Sequence, residues 1–315
     1  MSFSELKGFS DFSENLLDDQ LRGNLLSFFD WGFINKKAFH NVTIPASGLY
    51  GGNKELLKPF KDSRYRDGQV WRSFRSNWVW QSGLSTTEQP IRCSGVWVNN
   101  VFCPTSGVGP YSHYIDYVRG GIVFNTPIPT NSVVKAEYSY KFITLVDADE
   151  VPFVRQLQND SFRLDSNFFS SLASGDYAIL PDTRLQLPLV ALEVTSDVRY
   201  APYQLGGSQY TRTKVIAHVI SDEPKIAKKI AMAISNQNEK AINTFDVNKI
   251  TEGNLSPLNY KGSINDGALT HPDMVNQYEW KKLCITDMQS QEGSFLTTVY
   301  YVPVSFRAEV ILNNI

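Results

Sequence analysis

The chain has 315 residues, of which 42% are hydrophobic, 13% aromatic and 20% charged. That composition supports a sizeable core, divided most simply between two domains, and excludes a disordered or low-complexity chain. Thirty Lys and Arg against thirty-two Asp and Glu leave a formal charge of -2, so no basic footprint for gripping a nucleic-acid backbone is present and no sequence-specific nucleic-acid partner is expected. The longest apolar runs, such as Leu25 to Phe29 and Leu187 to Leu192, are far shorter than the roughly 20 residues of a membrane helix. The opening residues lack a basic region followed by an apolar one, which predicts folding in a cytoplasm.

The first element predicted is a helix from about Glu14 to Trp31, where Leu17, Leu21, Leu25 and Phe28 recur at helical spacing with Leu16 and Phe29 beside them. Ser13 is placed to cap it, Phe12 to staple onto Leu17, and Glu14, Asp18 and Asp19 suit the positive end of the helix dipole. Gly23 costs its middle about 1 kcal/mol relative to Ala, which tertiary packing offsets.

From Pro45 the sequence becomes rich in turn residues that separate aromatic and β-branched segments. Trp78 and Trp80 fall on one face of an extended segment, and Ile91, Cys93 and Trp97 on a face opposite Val96 and Val98. Val134, Ala136, Tyr138, Tyr140 and Phe142 alternate with more polar neighbours. About six such strands predict a β-sandwich or jelly-roll-like domain.

After the acidic run Asp147-Ala148-Asp149-Glu150 comes an irregular, partly helical bridge, and then two buried strands, LQLPLVALEVTSD and YTRTKVIAHVISD. A second helix is predicted from Glu223 to about Ala241 on the spacing of Ile226, Ile230 and Ile234, with Asp222 as N-cap and Pro224 in the first turn. Asn248 to Gln277 read as a long loop suited to be an assembly arm, with Asn254, Pro257, Tyr260, His271 and Pro272 as its candidate contacts. Two closing strands follow, and Pro303 in the second predicts an edge or a bulge.

The expected fold class is therefore α+β. Residues 1–44 plus 147–315 form one discontinuous unit, 45–146 are inserted as an antiparallel β-sandwich, and the opening helix covers the closing sheet.

The search for chemistry finds none. There is no phosphate-binding loop, and the Gly51-Gly52, Gly120-Gly121 and Gly206-Gly207 pairs lack the strand, turn and helix order of a dinucleotide fingerprint. His40, His113, His218 and His271 are scattered outside any metal-ligand or triad motif, with His218 read as a structural or interface residue of a strand and His113 as a loop residue. Cys93, Cys103 and Cys284 form no CxxC pair and read as small buried hydrophobes. The acidic run offers oxygen ligands for Ca²⁺ but lacks the Gly turn and distal Glu of an EF-hand, and reads as a hinge. Lys225, Lys228 and Lys229 read as a soluble helix face. No catalytic, cofactor-binding or metal residue is expected, and no enzyme. The aromatics fill a core or a subunit interface; the alternative is an exposed, sugar-stacking platform of Trp78, Trp80 and Trp97.

The segments HNVTIPASGLYGG, RSNWVWQSGL, PIRCSGVWVNNVF and HYIDYVRGGIVFNTPIPTNSVVKAEYSYKF resemble virion structural proteins of tailed phages. The run LPLVALEV, KVIAHVISDEPKIAKKIAMAIS, WKKLCITD and VPVSFRAEVIL is similar in element order to tail terminator and neck proteins. The resemblance implies a homo-oligomeric ring, a hexamer, at the head-tail junction of the virion, assembled in the host cytoplasm. Connector or neck proteins would lie above it and tail tube or sheath proteins below, with no membrane partner. The insertion is foreign to a minimal terminator unit, which leaves a baseplate or decoration protein with a carbohydrate-binding sandwich as the alternative.

Overall fold

The computed structural model describes residues 9–11, 14–44, 53–80, 87–148, 161–162, 185–202, 209–244, 282–296 and 299–312. A ribbon of β1 (Phe9–Asp11) and β2 (Glu14–Asn15) leads into α1 (Leu16–Asn35) and then β3 (Phe39–Val42). Short strands follow: β4 (Leu56–Pro59), β5 (Val70–Arg72), β6 (Gly95–Val98), β7 (Val101–Pro104), β8 (His113–Asp116), β9 (Gly121–Phe124), β10 (Val134–Ala136), β11 (Tyr138–Lys141) and β12 (Thr144–Asp147). A parallel pair, β13 (Ser161–Phe162) and β14 (Leu185–Gln186), precedes the long strands β15 (Leu189–Pro202) and β16 (Gln209–Ser221). The chain then forms α2 (Pro224–Ser235), β17 (Lys240–Ile242), β18 (Leu283–Ser290), β19 (Ser294–Leu296) and β20 (Val299–Leu312). The molecule is mixed α+β, with mostly antiparallel sheets and two helices among the described residues.

The segment expected to be a sandwich pairs as one antiparallel path, β7-β6-β10-β4-β5-β9-β8. Leu57, Trp71, Val96, Val98, Ile115, Ile122, Phe124, Val134 and Ala136 from all these strands but β7 meet in a single core with Trp78, Tyr138 and Tyr140, so the sheet bends around it. The alternation expected over Val134 to Tyr140 holds as far as Tyr138, with Lys135 and Glu137 half-buried between buried neighbours, and fails at Ser139, which is fully buried like Tyr138 and Tyr140 on either side of it. β3 pairs with β11, and β12 pairs in parallel with β15, so strand pairing crosses both expected limits of the insertion. The β6–β7 hairpin turns on Asn99 and Asn100, at φ 50° and 68°, the two left-handed positions of a tight hairpin turn that Asn tolerates. Gly120, at φ +65°, lies where a Cβ would stand 2.1 Å from the Arg75 carbonyl oxygen, so only glycine fits that crossing.

The second sheet runs β12-β15-β16-β20-β18-β17, with β19 also on β20. Period-two alternation sends Val190, Leu192 and Val194, Val215, Ala217 and Val219, and Val302 to Val310 at every second position to one face. That face is covered by Leu21, Leu25 and Phe29 of α1 and by Ala227, Ile230, Ala231 and Ile234 of α2. The opening helix thus covers the closing sheet, and Phe29 meets Phe306 edge-on at 6.1 Å. Two ion pairs fix α1 sideways, Arg22 with Asp147 of β12 and Asp30 with Lys141 of β11.

Several local expectations are corrected. α1 continues past Trp31, and the i, i+4, i+8 track that is buried is Leu21, Leu25 and Phe29, leaving Phe28 partly covered. The expected cap Ser13 lies outside the described residues. In α2 the N-cap is Glu223, not Asp222, and the Glu223 N–H donates to Ser221 Oγ. The helix stops at Ser235 because Lys240–Ile242 is drawn into pairing with β18. Pro303 does not sit on an edge strand, since β20 is paired on both sides. Its carbonyl accepts from Gln291 N–H, so its N, which lacks a hydrogen, faces the same way, into the break between β18 and β19.

A charged cluster stiffens the loop between β4 and β5. Asp62 accepts hydrogen bonds from the Arg64 N–H and guanidinium, and Arg72 lies 3.7 Å away with its guanidinium over the Phe60 ring. The Arg64 hydrogen bond, more than any other influence, lowers Asp62 from its ordinary 3.8 to about 2. A depressed carboxyl contributes stability above its unfolded pKa and loses it as pH falls through the folded one. Asp62→Asn is therefore less stable than the native chain at neutral pH, and urea titrations followed by tryptophan fluorescence converge for the two proteins as pH falls from 3.8 to about 2.

Candidate functional site

Helices lie on one face of the second sheet, and the other face carries the odd or even partners of the same alternation: Glu193 of β15, Ile216 and His218 of β16, and Tyr301, Ser305 and Arg307 of β20. Register places His218 opposite Ala191 on one side and Pro303 on the other, with Glu193 and Tyr301 each one diagonal step away. His218 Nε2 lies 2.8 Å from Glu193 Oε2, and His218 Nδ1 lies 2.8 Å from the Tyr301 hydroxyl. The His218 and Tyr301 rings stack with 18° between their planes. A chain of three polar groups thus spans three adjacent strands, from a half-exposed carboxylate inward to a half-buried phenol.

The row is bounded by an apolar corner and an ion-pair end. Leu187, Leu189, Ile220 and Val299 form a small cluster against Tyr301 and Val146, while Arg307 pairs with Asp287 at 2.9 Å and Arg212 with Glu309 at 2.7 Å. Burial, and secondarily the Glu193 charge, raises the Tyr301 pKa, which keeps the phenol protonated at neutral pH. Both imidazole nitrogens are engaged and the terminal hydroxyl is a poor nucleophile. The arrangement suits rigid recognition of another polar surface better than group transfer.

Trp78 and Trp80 are core residues, as expected of these aromatics, and do not form the alternative, an exposed platform. Trp78 is 1% exposed and Trp80 8%. Trp78 stacks on Tyr138 at 4.1 Å and donates its indole N–H to Ser73 Oγ, and Trp80 meets Trp31 edge-on at 5.8 Å. Alternation predicted one buried and one open face, but Val79 between them is also buried, against Ile34 and Phe39, so this segment is covered on both sides. Trp97 is half-buried and packs on Phe102 of the neighbouring strand, apart from the other two. Asn254, Pro257, Tyr260, His271 and Pro272 of the expected arm lie outside the described residues, as do Asp149 and Glu150 of the acidic run. Asp147 of that run is taken by Arg22.

Of the cysteines, Cys93 is buried, whereas Cys103 and Cys284 are half-exposed, which corrects the expectation for those two; all three are free thiols. Among the described residues no group of three or more His, Cys, Asp and Glu side chains could hold a metal ion, and no helix is long and apolar enough to cross a membrane. Sequence reasoning missed Glu193 and Tyr301 as partners of His218. Each occupies a polar position in an alternating strand, but the cross-strand register that joins them is a tertiary fact. No protein-family model matches the chain, and no curated protein matches it.

Because Trp78 is a core residue, Trp78→Ala lowers stability by about 3–5 kcal/mol, the usual cost of emptying so large a buried site. Urea unfolding measures the loss.

Proposed function

We propose that the chain is a non-enzymatic structural subunit of a tailed-phage virion, forming a ring at the neck or tail-terminator position of the head-tail junction. The observation that carries this reading is the one-sided cover of the second sheet. Among the described residues, strands of up to fourteen residues are backed by α1 and α2 on one face, and the other presents the half-exposed row of Glu193, Tyr301, Pro303, Ser305 and Arg307 beside a corner where Leu189, Ala191, His218 and Ile220 are buried. A large ordered sheet face with mixed polar and apolar groups is a ready subunit contact.

A second feature supports assembly. No described strand pairs with the outer edge of the β6–β7 hairpin, which exposes Val101 at 61% and Phe102 at 44%, with Val133 beside its turn at 46%. Exposed apolar side chains on an edge strand are a hazard for a solitary protein and an asset for one that is buried against neighbours. In this reading the unit of residues 1–44 plus 147–315 plays the terminator-like part, a hexamer caps the tail tube and meets the connector, and the β insertion of residues 45–146 faces outward.

Light scattering and negative-stain microscopy test the proposal. The native chain forms closed rings, and Arg307→Glu, on the open sheet face, shifts the population toward smaller species. A strict monomer at every concentration, without affinity for tail tubes or connectors, overturns it.

A further inference from the structure

The backbone register of β7 follows from its hairpin. The pairs Val98↔Val101 and Val96↔Cys103, together with the Thr105 N–H bond to the Ser94 carbonyl, aim residues 101, 103 and 105 at β6. Alternation therefore turns the backbone groups of Phe102 and Pro104 outward. Pro104 has no N–H, and its carbonyl already accepts from Gly107 N–H. At its other end the strand stops at the left-handed turn of Asn99 and Asn100. The outer edge of β7 thus offers one N–H and one C=O, both of Phe102.

The side chains along that edge are apolar and held in place. Val101 and Cys103 share the face of the buried Val96 and Val98, and Cys103 packs on the rim of their core. Phe102 lies on the opposite face with its ring 4.7 Å from Trp97, so close over Gly95 that a Cβ there would stand 2.9 Å from it. Outward, Val101 and Phe102 stay 61% and 44% exposed, and Val108 in the next loop 99%.

No charge guards this hairpin. From Cys93 to Ile115 the sequence runs for 23 residues without Asp, Glu, Lys or Arg, where the chain's 20% average would place about five. Across the strands, Lys135 stands opposite Trp97 and is paired with Glu55. Edge strands of solitary proteins are guarded by charge, lysine above all. A strand without charge meets its own copy without like-charge repulsion and carries nothing that selects a charged partner.

We propose that β7 pairs antiparallel with β7 of a second copy, across a two-fold axis at Phe102. The Phe102 N–H of each copy donates to the Phe102 carbonyl of the other, which satisfies both outward groups of each edge at once. Pro104 and the Asn99-Asn100 turn admit no longer register, and an extended foreign strand would need successive outward N–H groups that this edge lacks. The axis sets Phe102 against Phe102 on one face. On the other it sets Val101 against Cys103 of the second copy, a pair without mutual hydrogen bonds whose Cα atoms lie about 4.5 Å apart. A two-fold contact is isologous, whereas a ring closes through head-to-tail contacts, so this pairing does not depend on the ring reading.

Val101→Cys in the full chain tests the register, because it brings a thiol within disulfide reach of the second copy's native Cys103. Oxidation with copper phenanthroline gives a reducible covalent dimer, which is lost when Cys103→Ser is added and persists when Arg307→Glu is added to weaken a ring. Phe295→Cys, 67% exposed on the other sheet, measures random collision. In the Arg307→Glu background, Phe102→Lys and Val101→Lys each weaken self-association in sedimentation by about tenfold or more. Should Phe102→Lys disturb Trp97 and fail to fold, Val101→Lys carries the comparison alone. If the edge serves a foreign strand instead, no crosslink forms at any concentration. Absence of the crosslink, a crosslink that survives Cys103→Ser or is matched in rate by Phe295→Cys, or self-association unchanged in Val101→Lys overturns the proposal.

Discussion

A sheet whose middle strands run thirteen and fourteen residues has to hide at least one apolar face, and here the cover comes from two helices placed on opposite sides of a long β excursion in the sequence. Each fully buried Leu or Phe in such a contact is worth about 1.5–3 kcal/mol, which is more than the ion pairs at the rim supply. Those pairs set position instead. Arg22 with Asp147 and Asp30 with Lys141 grip the point where the chain returns from the excursion, so α1 is held against β12 and β15 while β3 and β11 lead away together. The bent sheet is fixed at a second place, where the Arg75 guanidinium donates to the Leu187 carbonyl and Gln186 accepts from Ser76, just ahead of β15. Everything the molecule presents outward follows from which faces these contacts close.

Much of that architecture was legible because it rests on local periodicity. The spacing of Leu21 and Leu25 marked α1, the spacing of Ile230 and Ile234 marked α2, and alternation from Val134 to Tyr138 marked extended chain with one face inward, although Ser139 beyond it is buried too. What was illegible is tertiary. Nothing in Trp78 and Trp80 reveals that the residue between them is also covered, because the covering groups, Ile34 and Phe39, come from α1 and β3. Nor does the sequence around Thr144 reveal that β12 abandons the bent sheet to pair with β15. Pro303 read as a disruption, yet the register of β18 and β19 leaves a gap where its missing N–H faces. The partners of His218 were hidden for the same reason, since diagonal neighbours on a sheet are fixed by register and not by sequence distance.

The two sheets differ in how their polar groups are satisfied. The open face of the long-stranded sheet is broad, with its polar groups already satisfied by one another across His218, Glu193 and Tyr301. Such a surface meets a partner through shape and through rim charges such as Arg307. In the bent sheet, by contrast, His113 Nε2 is buried without a hydrogen-bond partner among the described residues.

The claim beneath all of this is that α1 and the closing strands are one cooperative body, and native-state hydrogen exchange measures it most directly. Amides of α1 from Leu21 to Phe29 and amides of β20 from Val302 to Val310 are expected to open with a common free energy and a common denaturant dependence. Exchange of α1 through a separate, cheaper opening while β20 stays protected would contradict the account.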